Sequence, residues 1–294
     1  MAEERIENMP DRQKSAALGV FGAAVAKALA YFVMSVFALM TIYPLFWLVM
    51  SSFKTTREFQ VNMLGLPKDF TFENYRMAWD FGEFGKLFPN SIIYTLGTTA
   101  GVICLSVLAG FAFAKIGSRA TKWLYGSFIV GILLTLNSLM IPLFIEVNVL
   151  GIYNTRLAVL MVYIGAGLPI GIYLCTEFIK GIPTALVESA RMDGAGYFRI
   201  FWRIIMPLTA PVATTLAILN ITGTWNEFAL INILVSKTEL KSLPLGIYKF
   251  SGSLSTDYGK QFAALVIGMM PMLAFYVAFR KQITKGVAAG AVKG

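Results

Sequence analysis

Long apolar runs separated by short polar segments dominate the chain. Six of them, at residues 28–53, 91–114, 123–146, 156–176, 209–235 and 262–280, approach or exceed the ~20 residues that cross a hydrocarbon layer as a helix. The pattern predicts an all-α integral membrane protein with six transmembrane helices. Composition agrees. The 294 residues are 57% hydrophobic and 14% charged, with a mean hydropathy of +0.68, whereas a soluble domain is nearer one half apolar and one quarter charged.

Basic residues orient the spans, because they accumulate on the cytoplasmic side. With both termini cytoplasmic, the inner segments hold 15 of the 25 basic residues and 7 of the 16 acids, a net +8, and the outer segments net +1. The formal charge of +9 therefore calls for a membrane and for no nucleic acid. Residues 1–27 carry four bases and four acids and are expected to form a cytoplasmic lead-in to a permeating domain at 28–294. The "AKA" at Ala26 to Ala28 resembles a cleavage site but precedes the apolar run. That run also exceeds a signal core, so it is expected to stay as an uncleaved span.

Several chemistries are excluded by residues the sequence lacks. It contains no histidine, which removes a Ser-His-Asp triad, a histidine-ligated metal and a histidine proton relay. It contains no phosphate-binding G-x-x-x-x-G-K-[ST] loop, so if the protein moves something uphill with ATP, another subunit must bind the ATP. Cys104 and Cys175 fall on separate apolar runs and imply neither a disulfide framework nor a metal site. Acids are scarce in the spans: Glu146 and Glu227 near the expected outer ends, Glu177 near an inner one. A secondary transporter usually needs ionisable groups deeper than that.

One polar segment is out of character. Residues 177–208 join the fourth and fifth spans, and within them "VESARMDGAGYFRIFWRIIMP" from Val187 to Pro207 carries two acids, three arginines and two glycines. Pro183 suits a helix start, Thr184 to Met192 read as a short helix, and Gly194 suits a left-handed helix end. A second helix is expected with Tyr197, Phe198, Phe201 and Trp202 on one face and Arg199 and Arg203 elsewhere. Pro207 and Pro211 set the approach to the next span. Such an elbow is either a docking handle for a soluble partner or an interfacial loop anchored by aromatics and snorkelling arginines.

The spacing Glu188-Ser189-Ala190, three residues, Gly194, nine residues, Ile204, one residue, Met206-Pro207 resembles the EAA-x3-G-x9-I-x-L-P signature of binding-protein-dependent ABC importer permeases. Asp193, Ala195 and Phe198 fit the same pattern; Ser189 stands for alanine and Met206 for leucine. "TWNEFALINILVSKTELKSLPLGI" (residues 224–247), "YPLFWLVMSSFKT" (43–55), "FTFENYRMAW" (70–79) and the C-terminal "AALVIGMMPMLAFYVAFRKQITKGVAAGAVKG" are similar to the carbohydrate class, specifically the maltose-type second permease. The resemblance covers residues 30–294 and implies the type I ABC importer permease fold in a bacterial cytoplasmic membrane. It implies that Glu188, Ser189, Ala190, Asp193, Gly194 and Ala195 form the coupling contact with an ATPase dimer. Further implied partners are a second permease and an extracytoplasmic sugar-binding protein. No cofactor is expected in this chain, since the ATPase partner would bind ATP and Mg, and no catalysis.

A sugar crossing hydrocarbon needs hydrogen-bonding partners for its hydroxyls. Asn137 and Asn220 fall near the middle of the third and fifth runs and are candidate path residues, or else bond between helices. Trp225 and Asn226 are further candidates, with an aromatic belt at the outer interface as the other reading of Trp225 and Phe228. Gly97, Gly101, Gly165, Gly167 and Gly171 are expected at close helix contacts, with a kink near Pro169. No arginine or lysine lies deep within a span, which favours a neutral oligosaccharide.

Overall fold

The computed structural model describes residues 11–250 and 257–291; residues 1–10 of the expected lead-in and residues 292–294 of the tail lie outside them. All regular structure among the described residues is helical. Helix α1 (Asp11–Ser52) continues through the rest of the lead-in into the first apolar run. Short helices α2 (Thr56–Val61) and α3 (Glu73–Phe81) follow. Helix α4 (Phe84–Phe111) ends in a π-helical segment, Ala112–Ile116, closed by Gly117 at φ +45°. Helices α5 (Arg119–Gly131), α6 (Leu136–Val149) and α7 (Arg156–Lys180) come next.

Among the described residues, four helices are long and apolar enough to cross a membrane: Gly22–Ser52, Phe84–Ile116, Arg156–Lys180 and Tyr258–Gln282. The third apolar run is not one rod, as expected from its hydropathy, but the pair α5 and α6 bent by 110°. Thr135 takes an extended conformation (φ −79°, ψ 137°) and its hydroxyl shares a 2.7 Å hydrogen bond with Ser138 Oγ. This local side-chain bonding competes with the helix and starts a new one. The fifth run, by contrast, is entered where expected, at a bend. Tyr197–Leu208 and Ala210–Asn226 meet at 70° around Thr209, between Pro207 and Pro211, where two backbone donors are missing. With each bent pair taken as one span, the candidate spans among the described residues number up to six.

The centre of the bundle is the seam between α4 and α7. Gly97 and Gly101 face Leu160 and Ile164, and Gly167 faces Val102. A Cβ on Gly171 would come within 2.2 Å of Ser106 Oγ, and one on Gly110 within 2.9 Å of Cys175 Cβ. The glycines therefore act as small residues that let two helices approach, and α7 runs unbroken through Pro169. One buried cluster lies at the elbow end of this seam, formed by Val107, Phe111, Cys175 and Ile179 with residues from the elbow. Two others gather elsewhere, around Tyr94, Tyr163 and Leu230 and around Phe84, Trp225 and Ala263. Helix α1 stands apart, packing on the last helix and leaving Phe32, Phe37 and Phe46 exposed.

Candidate coupling elbow and polar cleft

The elbow begins with helix α8 (Thr184–Met192), preceded by Pro183 in an extended conformation (φ −56°, ψ 127°). Its end is a hydrogen-bonded turn of a recognisable kind. Gly194 sits at φ +78°, its N–H bonds Arg191 O at 3.0 Å, and the Ala195 N–H reaches back to Ala190 O at 2.9 Å. These two bonds around a left-handed glycine form a Schellman cap. Ala190 and Ala195, its two apolar flanks, pack against the buried cluster of Val187, Ile200, Phe201 and Ile205. Three of the six expected contact residues, Ala190, Gly194 and Ala195, thus build the turn itself.

The other three, Glu188, Ser189 and Asp193, are exposed. Ser189 Oγ bonds back to Ala185 O within the helix. Neither Glu188 nor Asp193 takes part in an ion pair among the described residues. Met192 beside them is 89% exposed and Phe198 79%. The turn is closed on its outer side by the Arg191 guanidinium, 5.2 Å from the Tyr197 ring centre.

The aromatics expected on one face of the second elbow helix, α9 (Tyr197–Leu208), touch one another, with the Trp202 ring 5.2 Å from that of Phe201, but divide between core and surface. Phe201 is buried with Ile200 and Ile205, while Phe198 and Trp202 stay outside with their rings 6.2 Å apart. Four aromatics at i, i+1, i+4 and i+5 cover a wide arc of a helix, and only the Phe201 edge of it meets the buried cluster; a π-helical stretch, Phe201–Ile205, follows and widens the turn beyond that point.

Helix α10 (Ala210–Asn226) carries three of the four candidate path residues. Asn220 lies in a cleft of about 220 Å³ with Tyr163, Gly167, Gly223, Thr224 and Glu227. Its Nδ2 donates to Leu216 O at 2.9 Å. Glu227 accepts from Tyr163 OH and, at 2.7 and 3.3 Å, from the N–H groups of Leu230 and Ile231. It thereby caps helix α11 (Ala229–Leu234). Asn137 is exposed in the first turn of α6, one residue beyond Leu136, which lines the cleft.

Trp225 and Asn226 are not brought to this cleft. Trp225 is buried, donates to Gly268 O at 3.3 Å and meets Phe88 edge-on at 5.8 Å, so its ring is part of a packed core rather than an interfacial belt. Asn226 is exposed and its Nδ2 bonds Thr222 O. The pairing of Tyr163 with Glu227, 64 positions apart, had no signal in the sequence beyond an acid near a span end.

Residues 103–288 match the family described as binding-protein-dependent transport system inner membrane component. The chain belongs to this family. Among its relatives, a probable starch degradation products transport system permease of Thermoanaerobacterium thermosulfurigenes is 33% identical over 269 residues, 92% of this chain and 98% of that one. A diacetylchitobiose uptake system permease of Streptomyces coelicolor is 29% identical, over 90% of this chain and 88% of the relative. A solved bacterial ABC transporter involved in import of the acidic polysaccharide alginate has a chain of the same fold, with a TM-score of 0.79 at 21% identity, covering 88% of this chain and 97% of that one. This permease is accordingly a multi-pass inner-membrane protein, and its elbow and cleft both lie within the matched region.

Proposed function

We propose that the chain is the non-catalytic membrane subunit of an ATP-driven importer for neutral oligosaccharides. The elbow at 184–208 docks on a separate ATPase dimer, which binds ATP and Mg. In this reading the chain crosses the membrane six times with the elbow between the fourth and fifth spans, and both termini and the elbow are cytoplasmic, in keeping with the distribution of basic residues. ATPase closure moves the elbow, and the spans alternate between outward- and inward-facing states. A second permease completes the pathway and an extracytoplasmic sugar-binding protein delivers the substrate.

The single observation that carries this reading is the construction of the elbow. An apolar underside is rooted in the bundle, while Glu188, Met192, Asp193 and Phe198 present charge and apolar surface outward and neither acid takes part in an ion pair among the described residues. A loop that only lay on lipid would turn its apolar side chains and its arginines to the membrane and would have no use for exposed acids.

Support for a sugar comes from the relatives, named for starch degradation products and diacetylchitobiose. Support for a neutral one comes from the cleft, whose ionisable groups are Glu227 and Tyr163; a carboxylate without a neighbouring cation would repel an anionic substrate. Asn220 and, at the break of the third run, Asn137 are the residues proposed to offer hydrogen bonds along the path. An anionic cargo remains the rival reading, favoured by the fold shared with the alginate importer.

The test is uptake into vesicles containing the chain alone, or with its permease, ATPase and binding-protein partners, using neutral and acidic oligosaccharides. Uptake that needs all partners and ATP and prefers neutral sugars is expected. Uphill uptake by the chain alone would refute the proposal, and preference for a polyanionic sugar would reverse the substrate assignment.

A further inference from the structure

The polar contacts at the two ends of α4 serve neither the docking surface nor the cleft. From Asn90 to Lys115 the helix and its π continuation span about 37 Å at ~1.5 Å per residue, so the two side chains lie near opposite ends of the bundle. At one end Lys115 Nζ donates to Ile182 O at 2.6 Å and reaches Thr184 Oγ1 at 3.4 Å. Ile182 lies in the non-helical link between α7 and the elbow, and Thr184 is the first residue of α8.

At the other end, α4 grips a loop. Asn90 Nδ2 donates to Glu239 O at 2.6 Å and Lys241 O at 3.0 Å. Tyr94 OH donates to Leu240 O at 2.7 Å, and Ser91 Oγ accepts from the Leu243 N–H at 2.8 Å. Arg156 of α7 donates to Asn90 Oδ1 at 2.9 Å and fixes the amide. Between these ends the helix is seated in the glycine seam with α7, where close packing transmits displacement rather than absorbing it.

A lysine near the end of a span ordinarily extends its ammonium to water. Lys115 is half-buried and spends its ammonium on a carbonyl 67 positions away. We propose that α4 is a strut carrying movement of the elbow to the 239–243 loop at the far end, and that Lys115 is the positioning residue by which it holds the elbow. The proposal rests on the reading of the elbow as the ATPase contact. Movement there displaces the Ile182 carbonyl, Lys115 drags the end of α4 with it, and Asn90 and Tyr94 shift the loop.

The test uses the whole reconstituted complex and reads sugar molecules taken up per ATP hydrolysed. Lys115→Met keeps the apolar stem and removes the donors; it is expected to lower that ratio about fivefold or more, the scale of a typical coupling between sites, while the ATPase still copurifies. Lys115→Arg restores the ratio, because a guanidinium still donates to a carbonyl. Asn90→Ala, at the far end, lowers it as well, and the double variant loses less than the product of the two separate losses. Should Lys115→Met fail to assemble, Asn90→Ala alone decides.

Unchanged uptake per ATP in Lys115→Met or in Asn90→Ala, no rescue by arginine, or independent multiplication of the two effects would overturn the strut. Failure of the unaltered complex to take up sugar would instead overturn the importer reading.

Discussion

Replacing Glu188 by lysine separates docking from folding. The side chain is exposed and has no ion pair among the described residues, so the permease itself should change in stability by no more than about 0.5 kcal/mol. Against a cation on the ATPase the same change turns attraction into repulsion. A unit pair ~4 Å apart is worth about 4 kcal/mol at an effective dielectric of ~20, and screening at an exposed rim reduces this to the order of 1–3 kcal/mol. That corresponds to roughly 5- to 150-fold in the dissociation constant for the ATPase. Titrating purified ATPase against the permease in nanodiscs reads it directly, with Glu188→Gln expected between the parent and the lysine variant. Unchanged affinity with normal uptake would refute the reasoning; so would a loss of affinity matched by a fall in melting temperature, since the defect would then be in the fold.

Further outcomes follow from packing and charge. Gly171→Leu should force α4 and α7 apart, because even a Cβ there meets Ser106 Oγ at 2.2 Å; a loss of at least 1–3 kcal/mol, about the range for overpacked cores, would appear in detergent melting, and an unchanged melt would contradict the seam. Trp225→Ala should cost about 3–5 kcal/mol as a buried aromatic, whereas Asn220→Ala should leave melting nearly unchanged and raise the KM for sugar uptake. The reverse pattern would exchange their roles. Glu83, hydrogen-bonded to and paired with Lys249, is held below its usual pKa of 4.5, chiefly by that hydrogen bond. Its contribution is present above 4.5 and is lost as pH falls through the depressed folded value; Lys249→Met should flatten the melting curve in that acidic window, and an unchanged slope would show that the pair contributes nothing.

The elbow was legible because its turn depends on residue types that have few substitutes. Gly194 must adopt φ > 0, and small residues must flank it where Ala190 and Ala195 meet the core. Helices α1, α4, α7 and α12 (Tyr258–Ala291) were legible from hydropathy, since length and apolarity alone define a span. The 110° break was not. Ile132, Leu133 and Leu134 are as apolar as the helices they separate, and only the Thr135–Ser138 pair marks the new helix start.

The split of Phe201 from Phe198 escaped for a different reason. Aromatics at i, i+1, i+4 and i+5 share a face, but spacing does not say which edge of that face meets the core, and here it is the Phe201 edge. Trp225 was ambiguous in the sequence because an aromatic near a span end suits both a belt and a core; its partners Phe88 and Gly268 are far away in the chain. The grip of Lys115 on Ile182 is likewise a long-range contact that no spacing announces.

The central claim, that the elbow is where the ATPase docks, is tested most directly by cross-linking from Met192, which is 89% exposed beside Glu188 and Asp193. Met192→Cys in a Cys104→Ser background, carrying a photoactivatable thiol label, is irradiated in the reconstituted complex, with Met63→Cys as the reference from the exposed loop after α2. The account predicts an adduct of this chain with the ATPase subunit from position 192 and none from position 63. Lipid adducts alone from position 192, or equal capture of the ATPase from both positions, would contradict it.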